Sequence, residues 1–233
     1  HTRYPLVTGV QTCALPIYKR AKDGDLGKNT GGMGAYAPAP LVTEEIMNRV
    51  DNEIVKPMLK AMHEEGFPFV GCLFVGLMID AGKPSVVEFN CRFGDPETQA
   101  VLSVFRGDLA TLLHSAAIGA LDASAMKSRA EGFACNVVMA SGGYPDDYET
   151  GHKILGLDKI SEIPQISVFH AGTKLLPDGS IITSGGRVLG ICGLGATLSE
   201  AIQQAYIGAE YIHYQKRYFR TDIGKKGLHV TNP

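Results

Sequence analysis

The run Val86-Val87-Glu88-Phe89-Asn90-Cys91-Arg92-Phe93-Gly94-Asp95-Pro96-Glu97 constrains this chain more than any other segment. It begins with β-branched and aromatic residues of strand character and breaks at a glycine. It resumes with a helix start: a capping carboxylate at Asp95, proline at the first helical position and an acid in the first turn. In a strand, side chains at i, i+2 and i+4 share a face. Glu88, Asn90 and Arg92 are therefore expected to point together, while Val87, Phe89 and Cys91 face apolar packing. A strand that runs through a glycine turn into a helix is where open α/β sheets place their sites.

A carboxylate beside an amide oxygen is a hard-oxygen pair suited to Mg²⁺, which binds nucleotide phosphates with few protein ligands. An arginine one step further can hydrogen-bond a phosphoryl or acyl-phosphate oxygen through its planar fork. Positioning and charge neutralisation are most of what phosphoryl transfer asks of a protein. The competing reading is a surface strand edge with an exposed Glu–Arg pair, which would contribute little.

Around this run the pattern is helix, strand, strand, helix. Lys19 to Pro40 is rich in glycine and ends in prolines, which argues for a loop. Thr43 then offers an N-cap with Glu44 and Glu45 in the first turn. Ile46, Val50, Ile54, Met58 and Met62 recur every four residues, joined by Met47, Val55 and Leu59, predicting an amphipathic helix kinked at Pro57. Phe69 to Ile79 reads as a buried strand, Ala81 to Pro84 as a turn and Ser85 to Phe89 as a second strand. Asp108 is expected to cap a further helix through Ala116. Beyond about Ser128, short β-like runs (Ala134–Ala140, Ile166–Phe169, Ile181–Ile182, Arg187–Ile191) alternate with glycine pairs. A capping box at Thr197–Glu200 then opens a last long helix. The fold class read from this order is α/β, with residues 19–128 as one domain and 129–233 as a small α+β domain.

The net charge of −2 over 233 residues gives no reason to expect a nucleic-acid or membrane partner. No apolar run approaches the roughly eighteen residues of a membrane helix. The five cysteines are widely spaced and form no CxxC pair, so neither a zinc site nor a disulfide framework is expected, and a reducing cytoplasmic compartment fits. Cys72, Cys135 and Cys192 sit in apolar runs and read as core residues. His1 to Tyr18 shows no period; its GVQTCALPI resembles the translation of a sequencing adapter and is expected to be non-native.

Gly31-Gly32-Met33-Gly34 would let backbone N–H groups approach an anion, as a nest does; a plain turn is the alternative. It is not a Walker A loop, because the glycine spacing before Lys28 is wrong. Arg187, after Gly185-Gly186, is a candidate for meeting an anionic substrate group, with a surface turn arginine as the alternative. His170 reads as a hydrogen-bonded structural histidine. Tyr214 to Arg220 (YQKRYFR) interleaves basic and aromatic residues and is expected to be a solvated terminal face rather than an RNA site.

E-x-N-x-R at a strand end resembles the metal-binding strand of the ATP-grasp superfamily. The longer RFGDPETQ (Arg92 to Gln99) is similar to the signature of the phosphoribosylamine–glycine ligase family. NTGGMGAY (Asn29 to Tyr36), HAGT (His170 to Thr173) and SGGRVLG (Ser184 to Gly190) match that family in the same order, over roughly Lys19 to Leu228. The resemblance implies the C-terminal part of an ATP-grasp domain followed by a small α+β domain. It implies Glu88 and Asn90 as Mg²⁺ or Mn²⁺ ligands and Arg92 as a catalytic group steadying transferring phosphate. Asp25 would lie near the active site, a solvated loop acid being the alternative. Asn29, Gly31, Gly32 and Gly34 would serve substrate or phosphate, together with Arg187.

The implied reaction joins glycine to 5-phosphoribosylamine through glycyl phosphate, with ATP as co-substrate, in purine synthesis. The family's N-terminal domain and lysine-bearing nucleotide clamp are not seen in this sequence, so a fragment inactive alone is expected. A non-catalytic ligand- or partner-binding module, or another carboxylate–amine ATP-grasp ligase, is the alternative. Phe69 to Ile79 carries no acid, and Asp80 lies at the turn, so a second metal ion would have to find other ligands.

Overall fold

The computed structural model describes residues 18–127 and 131–229. The leader expected over residues 1–18 lies outside the described residues except for Tyr18, which is buried. In chain order come β1 (Arg20–Lys22), β2 (Leu26–Asn29), β3 (Gly34–Ala37), α1 (Glu44–Val50), a π-helical turn (Asp51–Val55) and α2 (Lys56–Glu64). Then follow β4 (Phe74–Asp80), β5 (Lys83–Asn90), α3 (Glu97–Val104), α4 (Leu109–Ala117), β6 (Phe133–Ser141) and α5 (Leu157–Ile160). The chain continues with β7 (Ile166–His170), β8 (Thr173–Leu175), β9 (Ile181–Thr183), β10 (Arg187–Gly195), α6 (Leu198–Tyr211), β11 (Arg217–Tyr218) and α7 (Lys225–Leu228).

This α/β chain forms two compact units that interleave in sequence. One holds Pro38–Gly94 and residues 105–127; the other holds residues 18–37, Asp95–Val104 and 131–229. A single cut near residue 128 does not follow these units, because β3 joins the second unit's sheet by pairing with β6. The loop expected over Lys19 to Pro40 instead holds three short strands, β1, β2 and β3.

In the first unit, the Thr43 side chain accepts from Ile46 N, capping α1 as its sequence implies. Pro57 has no N–H to offer the carbonyl four residues back, and the ladder slips just before it: Lys56 N donates to Asp51 O. The expected kink is thus a π turn, and it advances the apolar stripe by one residue. Of the residues expected there, Ile46 and Val50 are continued in the core by Val55 and Leu59, with Met58 packed against them at the edge. This stripe packs with Val75, Leu77 and Ile79 of β4. The β4 strand begins only at Phe74, not Phe69, because the chain bends at Gly71 with φ 137°. Ala81 and Gly82, at φ 46° and 74°, turn β4 into the antiparallel β5. The Asp108 carboxylate accepts from Thr111 N and caps α4.

The second unit is a five-stranded antiparallel sheet. Its centre is β6, paired with β10 along one edge, while β3 pairs with residues 134–137 and β11 with residues 140–141; β7 extends the sheet beyond β10. α6 opens with the expected capping box, Thr197 and Glu200 satisfying one another's backbone. Met139, Leu189, Ile191, Ala209 and Ile212 fill the core with Ile154, Ile160 and Ile166. β8 and β9 form a separate hairpin.

Candidate functional site

In the first unit, Glu88 and Asn90 lie opposite Gly76 and Phe74 across the β4–β5 hairpin. That face is opposite the one on which Val75, Leu77 and Ile79 meet the helical stripe. The register shifts between Gly76 and Leu77, so Val87 has no partner across from it and is 60% exposed. Phe89 is also exposed at 44%, as is Cys91, so the expected apolar packing of Val87, Phe89 and Cys91 is not realised. The reason is the bulge together with a sheet of only two strands among the described residues.

Gly76 has a specific part in this. A Cβ there would stand 2.9 Å from Glu88 Cγ, so only glycine leaves room for the Glu88 side chain to lie across β4. The strand ends at Asn90, and Arg92 sits just beyond it in a bend. Its guanidinium still reaches back, donating to Asn90 Oδ1 at 3.4 Å and to Phe93 O at 2.9 Å. Arg92 thus meets Asn90 through the bend, while Glu88 shares the Asn90 face of β5 by strand alternation.

In the second unit, Arg187 holds the glycine loop. Its Nη1 donates to Gly31 O (3.2 Å), Gly32 O (3.4 Å) and Asp95 O (3.1 Å), and its Nη2 to Asp95 Oδ2 at 2.9 Å. The Asp95 carboxylate also accepts from Gln99 Nε2. α3 begins at Glu97, after a cis Asp95–Pro96 peptide. Asn136, buried on β6, donates to Pro96 O at 3.0 Å.

The loop's own N–H groups have internal partners. Gly31 N donates to Tyr144 Oη, Gly32 N to Thr30 Oγ1 and Met33 N to Tyr18 O. Gly32 and Gly34 are buried, Gly31 and Asn29 exposed. An anion nest at this loop would require those N–H groups to exchange partners. Gly32 has φ 115°, and a Cβ there would fall well inside 3.0 Å of Pro96 Cδ.

Asp25 lies in a third cluster. Its φ is 56°, and its carboxylate accepts from both terminal nitrogens of Arg220, each at 3.1 Å, and from Lys226 Nζ. The Lys226 hydrogen bond, then that of Arg220, hold its carboxyl below the usual carboxylate range. Arg220 has no exposed surface. It makes a two-pronged pair with Asp222 at 2.7 and 2.6 Å, and its guanidinium carbon stands 4.7 Å from the centre of the Tyr18 ring. Burial pushes the Asp222 carboxyl up, but the Arg220 hydrogen bond and Gly24 N outweigh it and hold it at about 2.

The expected solvated face over Tyr214 to Arg220 is therefore corrected. Tyr214 is buried with its hydroxyl on Ala140 O, Tyr218 donates to Ala21 O, and β11 pairs with β6. Sequence reading passed over Arg220 because its partners lie almost two hundred residues away. Its one local signal was Asp222, two residues on. His170 pairs its Nδ1 with Thr173 Oγ1 at 3.0 Å, in line with a structural role. Cys135 and Cys192 are buried, Cys72 only partly so.

Among the described residues no group of three or more His, Cys, Asp or Glu side chains is arranged to hold a metal. Glu88 and Asn90 nevertheless fit a hard divalent ion. They give one carboxylate and one amide oxygen on a half-buried sheet face opposite a glycine. Mg²⁺ keeps several waters and takes further oxygens from phosphate, so two protein ligands suffice.

Comparison with known proteins matches residues 5–98 to the family model described as phosphoribosylglycinamide synthetase, ATP-grasp (A) domain. Residues 134–226 match the C domain of the same synthetase. A phosphoribosylamine–glycine ligase of Chlorobaculum tepidum is 49% identical over 212 residues, 91% of this chain and 49% of the relative. One from Escherichia coli is 48% identical over 214 residues, with the same coverage of both chains. The crystal structure of the Thermotoga maritima phosphoribosylamine–glycine ligase superposes with TM-score 0.78 at 34% identity, over 90% of this chain and 50% of that one. The chain spans about half the length of the curated relatives it matches.

Proposed function

Because the chain belongs to the phosphoribosylglycinamide synthetase family, we propose that it supplies the metal-binding strand and C-terminal domain of an ATP-dependent ligase joining glycine to 5-phosphoribosylamine. The observation that carries this reading is the meeting of Arg92 with Asn90 at the end of β5, with Glu88 on the same strand face opposite Gly76. In the proposed reaction the glycine carboxylate attacks the terminal phosphorus of ATP, forming glycyl phosphate and releasing ADP. The amine of 5-phosphoribosylamine then attacks the acyl carbon, and phosphate leaves as glycinamide ribonucleotide forms.

Glu88 and Asn90 would hold a magnesium ion, which when bound neutralises charge on the transferring phosphoryl group. Manganese is the second candidate for the same two oxygens. Arg92 extends its fork beside them and can exchange its hold on Asn90 and Phe93 for phosphoryl oxygens. Arg187, held by Asp95, is the candidate to meet an anionic substrate group; the glycine loop would serve the same substrate. Asp25 is kept ionised by Lys226 and Arg220, so in this reading it contributes charge and shape rather than a proton. The substrates are small molecules, and the four described cysteines, all free thiols, suit a reducing, cytoplasmic-type compartment.

The test joins this chain to the N-terminal part of the Chlorobaculum tepidum relative that it does not match. Glycine-dependent ADP formation should appear. Glu88→Ala and Asn90→Asp should each weaken the metal's half-saturation by about tenfold to a hundredfold with the fold retained. Unchanged metal dependence in both variants would remove the metal assignment.

A further inference from the structure

We propose that Arg220 is a positioning residue that sets the conformation of the glycine loop from the far end of the chain. Its guanidinium is completely buried, yet every one of its donors is used. Nε donates to Asp222 Oδ1, Nη1 to Arg20 O and Asp25 Oδ1, and Nη2 to Asp222 Oδ2 and Asp25 Oδ1. A planar guanidinium has five N–H groups in a rigid fork, and a lysine could not reproduce this set. Its face covers the Tyr18 ring, whose hydroxyl accepts from Gly224 N in the C-terminal turn.

What Arg220 grips is the segment that carries the loop. Thr30 N donates to Lys19 O at 2.7 Å, and its hydroxyl donates to the same oxygen at 2.9 Å. Met33 N donates to Tyr18 O at 2.8 Å, and Tyr18 N to Gly34 O at 3.3 Å. Residues 18–20 thus form the bed on which the loop from Thr30 to Gly34 lies, and Arg220 fixes that bed at Tyr18, Arg20 and Asp25. Asp23 adds a second tie by accepting from Thr221 N at 2.8 Å. A residue that merely filled space would not need five directed hydrogen bonds to one upstream segment and one aspartate. The functional weight of this positioning rests on the reading that the glycine loop serves the ligase site; the positioning itself does not.

The experiment uses the 233-residue chain. Amide exchange is followed in Arg220→Ala and Asp222→Asn, with N-methylguanidinium or methylammonium added to the first. Thr30 and Met33 should exchange at least about tenfold faster while Val137 and Ile191, in the sheet centre, keep their protection. N-methylguanidinium should restore Thr30 and Met33 in Arg220→Ala, and methylammonium should not. Asp222→Asn keeps the arginine and should loosen the same amides by less, which covers the case in which Arg220→Ala does not fold. Loop amides that stay protected in both variants would overturn the proposal. So would loss of loop and sheet protection together in Asp222→Asn, or equal rescue by both cations. Because exchange needs no turnover, a failed ligase assay would leave this result standing, and a failed exchange result would leave the ligase reading standing.

Discussion

Replacing Gly32 with alanine should destabilise the second unit more than the same change at any exposed left-handed glycine. At φ 115° an alanine carries a backbone penalty of ~1–2 kcal/mol. Its Cβ would also press into Pro96 Cδ, which is held from behind by Asn136 on Pro96 O. Overpacking of that kind costs ~1–3 kcal/mol, giving about 2–5 kcal/mol in all. With a urea slope of ~2 kcal/mol/M, the midpoint should fall by about 1–2.5 M. Gly179→Ala is the control: its φ is 82°, but nothing lies within 4 Å of the added methyl. Only the backbone penalty remains there, so its midpoint should fall by about 0.5–1 M. The assay is urea unfolding read on amides of β6 and β10, so that the second unit alone is reported. Equal shifts for the two variants would refute the claim that Pro96 closes over the loop.

Two further outcomes follow from the buried groups. The folded Asp222 carboxyl sits at about 2 against an ordinary 3.8, so its contribution, ~2 kcal/mol, is complete above the ordinary value and is lost as pH falls through about 2. Thermal unfolding between pH 2 and 5 should therefore lose this increment in the parent and show a flatter profile in Asp222→Asn; parallel profiles would contradict it. Burial pushes the Cys192 thiol up to about 11 and the Cys135 thiol higher still, while Cys91 is exposed. Iodoacetamide at pH 8, followed by peptide mass spectrometry, should label Cys91 readily and spare Cys135 and Cys192 until the protein unfolds. Early labelling of either buried thiol would place it at the surface.

Helix starts were the part of the fold most legible in the sequence, because a cap is decided within four residues. Thr43, Asp108 and the Thr197–Glu200 pair all cap as read. Asp95 has the same local pattern, but its tie to Arg187, far along the chain, was not legible there. β3 was hidden for a related reason. Gly34 to Ala37 has no apolar alternation, and its strand character comes from pairing with β6 about a hundred residues later. The apolar stripe of α1 and α2 was legible, Val55 and Leu59 included, but which of its members lie deepest was not, because period counting cannot see a ladder slipping before Pro57.

At the candidate site, the shared face of Glu88 and Asn90 was legible from strand spacing, while Arg92 joins Asn90 from a bend beyond the strand. The part of Gly76 was not legible, as it depends on which residue of β4 faces Glu88. Arg220 was the largest omission. A basic residue among aromatics reads equally as surface or interior until its carboxylate partners are placed in space.

The most direct test of the account is the product made by this chain joined to the unmatched N-terminal part of a relative, supplied with MgATP, glycine and 5-phosphoribosylamine. The account predicts ADP and glycinamide ribonucleotide in equal amounts by mass spectrometry. Both should vanish without glycine and fall together in Glu88→Ala. ADP release indifferent to glycine, or product formation unaltered by Glu88→Ala, would contradict it.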